Sequence, residues 1–304
     1  MRGRRESPSA ARSPLRSGMC SITMRRLTPD EVVTLAERAG LGGIEWGADG
    51  HVPPGDLALA RSVGRTCADA GLAVASYGTY LGIAPFDDPA APPGELSAVL
   101  DTAEALGAPL IRVWAAFGIE SDAPQLDRAA VVATTAAITD AAARRGLGVA
   151  LEFHPGTLTH TAAGARSLLG GVDHPALRTH WQPDPALAPD GAVAELALVA
   201  DRLAYLHVFA WGPGGIDERH ALADGVDLWL PALRLAADAP PLPASLAAAV
   251  TAPEADPAPS DRPRHRFCLL EYVAGDGPEQ LVADAATLNA WIARLGQPTA
   301  STME

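Results

Sequence analysis

Four residues that can bind a metal ion or move a proton lie at the ends of short, apolar, β-rich runs. They are Glu152, Gln182, His207 and Glu271. A charged side chain inside such a run is costly unless it is paired. If the carboxylates of Glu152 and Glu271 met at about 4 Å, they would repel each other by about 4 kcal/mol at an effective dielectric of about 20. Such a pair requires a shared proton, an arginine or a divalent cation.

Two carboxylates, one imidazole and one amide oxygen form a mixed oxygen and nitrogen donor set. This set suits Mn²⁺, Mg²⁺ or Co²⁺ better than a metal that prefers thiolates. The alternative is that each glutamate pairs with an arginine such as Arg112 at the rim of the fold. We predict a divalent metal site at Glu152, Gln182, His207 and Glu271. Glu152 and Glu271 are also the predicted catalytic residues, one removing a proton from the substrate and the other returning it.

The elements that carry these residues repeat one unit, in which a helical segment ends at a glycine and a β-rich run follows. Glycine can adopt the left-handed conformation that ends a helix. The clearest units end at Gly40, Gly71, Gly107 and Gly146. Eight strands are predicted, the first at 20–24 and the last at 267–272, each followed by a helix. Alternating β and α units predict an α/β fold with a parallel sheet, and eight units predict a single-domain (β/α)₈ TIM barrel.

The sequence divides into a basic tail at 1–18, a barrel at 19–297 and a C-terminal tail at 298–304. The first segment is rich in Arg, Ser and Pro, which predicts a disordered tail or an extension upstream of a natural start at Met19. Segment 238–264 is rich in Ala and Pro and is predicted to be a flexible surface insertion before strand eight. The alternative for that segment is an ordered helix at 244–250.

Composition excludes several classes of function. The chain has 304 residues and a net charge of −13, and all 23 basic residues are arginine. The absence of lysine excludes Schiff-base and P-loop lysine chemistry. An acidic chain repels phosphate backbones and anionic lipid, and no apolar run reaches the ~18 residues that span a bilayer, so we expect no nucleic-acid or membrane partner. Three distant cysteines without a CxxC pair indicate a reduced, cytoplasmic protein.

Several segments resemble the xylose-isomerase-like barrel superfamily of sugar (phosphate) isomerases and epimerases. They are GIEW at 43–46, LEFHPGTLT at 151–159, WQP at 181–183, LHVF at 206–209 and LEY at 270–272. The resemblance covers about 19–295 outside the insertion. In that family the metal ligands come from strands five to eight, often as Glu, Asp, His or Gln, and Glu. The resemblance therefore implies the same four ligands: Glu152, Gln182, His207 and Glu271.

The chain departs from the family pattern at two positions. Gln182 stands where the family has Asp, which removes one negative charge, and Asp184 lies beyond Pro183. A histidine frequent in the family, three residues after that Asp, is here Pro185. The missing lysine also disfavours a true xylose isomerase. These departures leave open a barrel that binds a sugar without catalysing a reaction.

Aromatic residues near the strand ends predict a carbohydrate-like ligand, because indole faces stack on the C–H faces of sugars. The tryptophans concerned are Trp46, Trp114, Trp181, Trp211 and Trp229. Ordinary packing above the barrel is the alternative for each of them. The predicted substrate contacts are His154, Trp114, Trp181, Tyr77, Glu45 and Arg219, with His51 and His160 as further candidates. Arg219 could bind a phosphate or carboxylate as a bidentate fork.

The resemblance and the paired carboxylates imply a divalent-metal-dependent isomerase or epimerase acting on a sugar, ketose or sugar phosphate. Proton abstraction next to a carbonyl, through an enediolate, is the expected chemistry. A lyase or dehydratase acting on a polyol or sugar acid would use the same chemistry. A DNA-repair endonuclease would need more metal ligands and a basic groove, which the acidic composition disfavours. The sequence identifies neither the sugar nor the oligomeric state, and a homo-oligomer stays open.

Overall fold

The computed structural model describes residues 13–83, 95–118, 127–246 and 265–295. Within these ranges eight parallel strands close into a barrel in chain order, and β1 pairs with both β2 and β8. The strands are β1 (Leu15–Cys20), β2 (Gly43–Gly47), β3 (Ala73–Ile83), β4 (Leu110–Ala115), β5 (Gly148–Glu152), β6 (Leu177–Trp181), β7 (Leu203–Val208) and β8 (Arg266–Leu270). The predicted (β/α)₈ TIM barrel is confirmed.

Each strand is followed by a helix that packs on the outside of the barrel. The helices are α1 (Pro29–Arg38), α2 (Leu57–Asp69), α3 (Glu95–Leu106), α4 (Arg128–Ala143), α5 (Ala162–Val172), α6 (Pro189–Val199), α7 (Val226–Asp238) and α8 (Pro278–Leu295). Thr28 and Glu31 form a capping box at the start of α1, which satisfies backbone donors that the first turn would otherwise leave unpaired. Gly40 follows α1 with φ +65°, the left-handed conformation expected at a helix end.

Alternation along the strands separates two buried layers. Side chains such as Ile44, Leu151 and Leu206 point outward and pack against the helices. Small and aromatic side chains, among them Ala150 and Tyr205, fill the inside of the barrel. Because successive side chains point to opposite faces, the polar residues at the strand ends share the interior with this second layer.

The predicted position of the first strand is wrong. β1 covers Leu15–Cys20 instead of 20–24, and residues 21–24 form a 3₁₀ turn. Leu15 is opposite Arg266 and Gly18 is opposite Leu269, so part of the predicted 1–18 tail belongs to the barrel. The segment LRSGMC lacks β-branched residues and gives only a weak strand signal, and its strand forms because β2 and β8 supply partners on both sides. Residues 1–12 lie outside the described ranges.

The predicted insertion at 238–264 is only partly a surface segment. Leu242 and Leu246 are buried, and Arg266 donates to the Pro240 carbonyl oxygen at 2.9 Å. The alternative helix at 244–250 is a single 3₁₀ turn at Ala244–Leu246. The two leucines anchor this part of the chain because they would otherwise expose apolar surface to water. Residues 247–264 and the predicted C-terminal tail at 298–304 lie outside the described ranges.

No helix in the described parts of the chain combines the length and apolar character that crossing a membrane requires.

Candidate active site

The four residues grouped by the sequence lie together inside the C-terminal end of the barrel. His207 Nδ1 lies 3.1 Å from Gln182 Oε1, 3.4 Å from Glu152 Oε1 and 3.5 Å from Glu271 Oε2. All four side chains are buried. Glu152 ends β5 and His207 lies in β7, whereas Gln182 and Glu271 directly follow β6 and β8. Three oxygen atoms from three elements therefore surround one imidazole nitrogen.

The other ring nitrogen of His207 faces Glu45. Nε2 lies 3.5 Å from Glu45 Oε1, and the Glu45 carboxylate also accepts hydrogen bonds from Arg112 Nε at 3.0 Å and Ser76 Oγ at 2.6 Å. A proton on Nε2, directed at Glu45, leaves the lone pair of Nδ1 pointing at the three oxygens. Carboxylates commonly orient metal-binding histidines in this way.

Arg112 connects Glu45 with Glu152. Its Nη1 donates to Glu152 Oε2, and Trp114 Nε1 donates to the same oxygen at 2.5 Å. The alternative considered from the sequence, a glutamate paired with Arg112, is thus realised at Glu152. The guanidinium takes only Oε2, however, and leaves Oε1 facing His207.

The two strand-end carboxylates differ in acidity. Burial would raise the pKa of Glu152, but the charges of Arg112 and His207 outweigh burial and lower that pKa to about 2. Burial raises the pKa of Glu271 to about 7, a shift that His207 opposes and the neighbouring Glu152 carboxylate reinforces. Glu152 is therefore ionised at neutral pH, whereas Glu271 exchanges its proton near pH 7.

The histidines inside the barrel also differ. Burial lowers the pKa of His180 to about 3, so this ring is neutral. Burial would lower the pKa of His207 too, but Cys20, Glu271 and Glu45 together hold it well above its usual range. With no cation bound, the proton on His207 compensates part of the negative charge of the surrounding carboxylates.

A divalent cation fits this donor set in charge and in ligand type. Glu152, His207 and Glu271 offer ligand atoms that all lie within 4.8 Å of one another. The buried carboxylates of Glu45, Glu152 and Glu271 face a single guanidinium, that of Arg112, so a dication replacing the His207 proton would balance their charge. A second group, Cys20, Glu45 and His207, meets the same distance limit. It is a poorer site, because burial raises the pKa of the Cys20 thiol to about 12 and Arg112 occupies Glu45 Oε1.

A cavity of about 590 Å³ opens above these residues. Trp114 forms one part of its wall; it stacks on Phe117 at 4.8 Å and makes a tilted contact with His154 at 4.6 Å between ring centroids. Phe209 and Trp211 form another part, stacked at 3.7 Å. A pocket lined by aromatic rings with carboxylates at its base suits a ligand that combines hydroxyl groups with an apolar face.

Four residues of the predicted substrate set do not line this cavity: Glu45, which lies beneath it, and three others that lie elsewhere. Trp181 packs against Trp229 at 5.9 Å between the barrel and the helices, because it precedes the inward-pointing Gln182 and must point outward. Tyr77 is also buried outside the barrel interior, where its hydroxyl donates to the Val52 carbonyl oxygen at 2.7 Å. Arg219 forms an ion pair with Asp276. The substrate contacts predicted for these three residues find no support in their positions.

The other predicted contacts fall into two groups. Trp114 and His154 line the cavity, and so does Trp211, while Glu45 lies beneath the cavity against His207 and Arg112. The remaining candidates have structural partners. Trp46 is buried in the core, His51 Nε2 lies 3.0 Å from the Leu27 carbonyl oxygen, and His160 pairs with Asp184 at 3.2 Å.

Sequence reasoning missed several residues of the cavity wall. Arg25 donates to the hydroxyl groups of Tyr80 at 3.0 Å and Tyr272 at 3.3 Å, and it forms an ion pair with Asp49. Tyr272 directly follows Glu271 and has φ +46°, a conformation that costs energy in a bulky residue and is often found at functional sites. The sequence feature that could have identified Tyr272 as a cavity residue is its position next to Glu271, a predicted site residue.

Comparison with known proteins gives a consistent fold assignment. The family model described as "Xylose isomerase-like TIM barrel" matches residues 33–244. A probable 3-DHS dehydratase from Bacillus anthracis is 22% identical, with a TM-score of 0.64, over 90% of this chain and 98% of its own. No curated protein matches the chain in sequence.

Two further solved structures show the same barrel. A xylose isomerase-like TIM barrel protein from Mycobacterium smegmatis, in complex with magnesium, is 15% identical, with a TM-score of 0.63, over 96% of this chain and 100% of its own. D-allulose 3-epimerase from Methylomonas sp. is 17% identical, with a TM-score of 0.61, over 93% of this chain and 100% of its own. At these identities the likeness demonstrates the shared fold alone.

Proposed function

Because this chain belongs to the xylose isomerase-like TIM barrel family, we propose that it is a divalent-metal-dependent isomerase or epimerase acting on a sugar, ketose or sugar phosphate. The observation that carries the proposal is the position of His207 Nδ1, within 3.5 Å of oxygens from Gln182, Glu152 and Glu271. The solved structures with this fold include an epimerase and a probable dehydratase, so an enzyme of small polyhydroxylated molecules is the best-supported reading.

Glu152, Gln182, His207 and Glu271 would hold the cation, with Mn²⁺, Mg²⁺ and Co²⁺ as candidates. When bound, such an ion polarises a substrate carbonyl and makes the neighbouring C–H group more acidic. Glu45 orients His207 through Nε2, and Arg112 fixes Glu152 by taking one of its oxygens. Two of the four donors, His207 and Glu152, are therefore held by partners of their own before substrate arrives, and such preorganisation lowers the cost of reaching the transition state.

The proton transfer falls to Glu271. This carboxyl lines the cavity, and without a cation burial raises its pKa to about 7, which makes it the more basic of the two strand-end carboxylates. Arg112 and Trp114 hold Glu152 in the ionised form, which makes Glu152 a weaker proton acceptor. A single exchanging carboxyl acts on one face of the enediolate, and delivery of the proton to the neighbouring carbon, with transfer of the hydroxyl proton between the two oxygens, gives an isomerisation. An epimerisation would require Glu152 to act as the second group.

A dehydratase is the second candidate, and the single exchanging carboxyl favours it equally. After Glu271 removes the proton next to the carbonyl, it could pass that proton to the hydroxyl on the next carbon, which would leave as water and complete an elimination on an oxidised polyol or a sugar acid. The two candidates differ in their products, because an isomerisation conserves the mass of the substrate whereas a dehydration removes one water molecule.

Calorimetric titration of Mn²⁺ into chelator-treated protein tests the metal site. We expect binding by the wild type and losses of at least about tenfold in affinity for Glu271→Gln and His207→Ala. Glu104→Gln is the matched control, because Glu104 lies on the surface, where it pairs with Arg145. Absence of binding by the wild type, or equal affinity in all three variants, would remove the metal from the proposal.

Exchange of substrate C–H groups with solvent tests the chemistry. Metal-loaded protein is incubated in D₂O with ketoses and ketose phosphates, and NMR follows both deuterium incorporation and new products. We expect incorporation that the Glu271→Gln variant loses. Metal binding without exchange on any substrate would instead support a barrel that binds sugars without catalysing a reaction, the alternative suggested by Gln182 and Pro185.

A further inference from the structure

We propose that this cavity selects an uncharged keto sugar that carries an apolar ring, such as a glycoside with an aromatic aglycone and a ketone on its sugar ring, and that it discriminates against sugar phosphates and sugar acids. The inference rests on the proposed function and names the substrate class of the same site. Two independent features support it, the charge of the barrel face around the cavity and the arrangement of the aromatic rings within it.

The connections from strand to helix lie at the end of the barrel where the cavity opens, and the structure describes six of them in full, those after β1, β2, β5, β6, β7 and β8. Among these six, arginine occurs in two, the connections after β1 and β7, and lysine in none. Asp or Glu occurs in four of the six, the connections after β2, β6, β7 and β8. A face of this composition repels anions, because the charges around a cleft determine which ligands concentrate there.

Arg25, Arg112 and Arg219 are already paired. Arg25 forms an ion pair with Asp49, Arg219 forms one with Asp276, and the buried Arg112 is shared between Glu45 and Glu152. Binding a phosphate dianion normally requires charge-assisted donors such as a free guanidinium. Recruiting any of these three arginines to a phosphate would cost an existing carboxylate partner.

The backbone sites that bind phosphate in other barrels also carry carboxylates. Phosphate sites in TIM barrels frequently use the loops after strands seven and eight. After β7, the Glu218 carboxylate fills the concave side of the glycine-rich loop at 212–215, where it accepts a hydrogen bond from the Gly214 N–H at 2.9 Å. The Glu218 carboxyl carbon lies 2.2 Å from the point where a Cβ on Gly212 would be. After β8, Asp276 and Glu279 stand at the start of α8, where an anion would otherwise gain from the helix dipole.

The aromatic rings form two separate surfaces. Trp114 lies at the end of β4, whereas Tyr272 follows β8, and these two strands lie on opposite sides of the closed barrel. Trp114 Nε1 donates to Glu152, so its ring lies next to the carboxylates and suits the sugar ring. The stacked pair Phe209 and Trp211 lies on the β7 and β8 side and suits a second, apolar ring.

The second surface is fixed in place. Trp229 Nε1 donates to the Phe209 carbonyl oxygen at 2.6 Å, and Trp211 Nε1 donates to the Tyr272 carbonyl oxygen at 3.2 Å. A rigid aromatic surface binds a ring with little loss of conformational entropy. A cavity of about 590 Å³ also lies within the range of sites that hold ligands larger than one sugar ring.

The test compares three probes by calorimetry on the Mn²⁺-loaded protein: methyl β-glucoside, phenyl β-glucoside and glucose 6-phosphate. We expect the phenyl glucoside to bind about fivefold more tightly than the methyl glucoside, as one aromatic stacking contact predicts, and glucose 6-phosphate to bind more weakly than either. Trp211→Ala should abolish the preference for the phenyl glucoside, and Trp211→Tyr, which keeps a ring, should retain part of it. Leu198→Ala, an exposed substitution on α6, is the control and should leave the preference unchanged.

A second variant tests the charge argument directly. Asp49→Asn frees Arg25 and should strengthen glucose 6-phosphate binding several-fold, with little effect on the ratio of the two glucosides. Tighter binding of glucose 6-phosphate than of methyl glucoside by the wild type, or equal binding of the two glucosides, would overturn the inference.

These binding measurements are independent of the C–H exchange experiment that tests the proposed function. Exchange accompanied by a preference for the phosphate would leave the proposed function intact, and the expected binding order without exchange would leave the selectivity intact.

Discussion

The guanidinium of Arg112 and the carboxylate of Glu152 form an ion pair inside the barrel, with side-chain exposures of only 2% and 3%. Arg112 also binds Glu45, which is equally buried. Neither glutamate can gain compensating hydration if the arginine is removed. One guanidinium thus makes it feasible to bury two carboxylates next to the proposed donor atoms.

Replacing Arg112 by leucine should lower the free energy of unfolding by about 3–5 kcal/mol, because it leaves two buried carboxylates without their partner. Urea denaturation of the purified variant measures this loss. Arg145→Leu is the control, since Arg145 is 31% exposed and pairs with surface acids, and it should cost less than about 1 kcal/mol. Similar losses in the two variants would contradict the importance assigned to the buried pair.

Replacing Glu45 by glutamine should weaken Mn²⁺ binding by about 10–100-fold, the usual effect of losing the residue that orients a metal-binding histidine. The amide keeps the shape of the side chain but removes the charge facing His207 Nε2. Calorimetric titration of the chelator-treated variant measures the change. Ser76→Ala, which removes only one of the hydrogen bonds to Glu45, should have a much smaller effect. Unchanged affinity in the Glu45 variant would show that His207 does not depend on this contact.

The pKa of His180 predicts a loss of stability in acid. Burial lowers the pKa of His180 to about 3, below the unfolded value of about 6.5, so between these values only the unfolded state binds the proton. Stability therefore falls with falling pH in this window, by about 1.4 kcal/mol per pH unit. The pKa of Glu271 is instead raised to about 7 in the folded state. Between about pH 4.5 and 7 only the folded state therefore binds this proton, and stability rises with falling pH.

The two contributions are separated by comparing variants in chelator-treated protein. Between about pH 4.5 and 6.5, His180→Gln should lose the acid destabilisation that His180 causes, and Glu271→Gln should make acid more destabilising than it is in the wild type. Urea midpoints measured across this range give the slopes. Parallel pH profiles for wild type and His180→Gln would show that the imidazole is protonated in the folded protein.

A chain that begins at Met19 should be less stable than one that begins at Ser13 by about 4 kcal/mol. The shorter chain lacks the buried Leu15 and the β1 residues that pair with β8, and these supply roughly 2 kcal/mol of apolar burial and several hydrogen bonds of about 1 kcal/mol each. It also lacks the hydrogen bond from Ser17 Oγ to Asn289 Oδ1 at 2.6 Å. Equal urea midpoints for the two chains would show that a barrel with a shortened β1 is sufficient.

Much of the fold was predictable because its signals are local. Glycine at a helix end, the capping box at Thr28 and the alternation of apolar runs with amphipathic segments depend on neighbouring residues only. The strand LRSGMC was missed because it forms through pairing with β2 and β8, which no local pattern records. Leu242 and Leu246 were assigned to a flexible insertion because an Ala- and Pro-rich composition conceals two well-placed anchors.

The site was predictable to the extent that it depends on strand order and alternation. Residues at the ends of consecutive parallel strands must meet at one end of a barrel, and this requirement is enough to group Glu152, Gln182, His207 and Glu271. The same alternation could have assigned Trp181 to the outer layer, because it adjoins Gln182. The direction of the Tyr77 side chain was harder to predict, because the pairing register of β2 and β3 shifts between Ile44 and Glu45.

The sequence by itself determined that an eight-stranded parallel barrel forms and that carboxylates, an amide and an imidazole stand at its strand ends. Only the tertiary structure decided that Arg112 binds one oxygen of Glu152 and leaves the other facing His207, and that Glu45 lies beneath the imidazole. These contacts join residues from β2, β4, β5 and β7, which are far apart in the chain. Their distances depend on how the strands tilt and pair around the closed barrel, a property of the whole assembly that no local stretch of sequence contains.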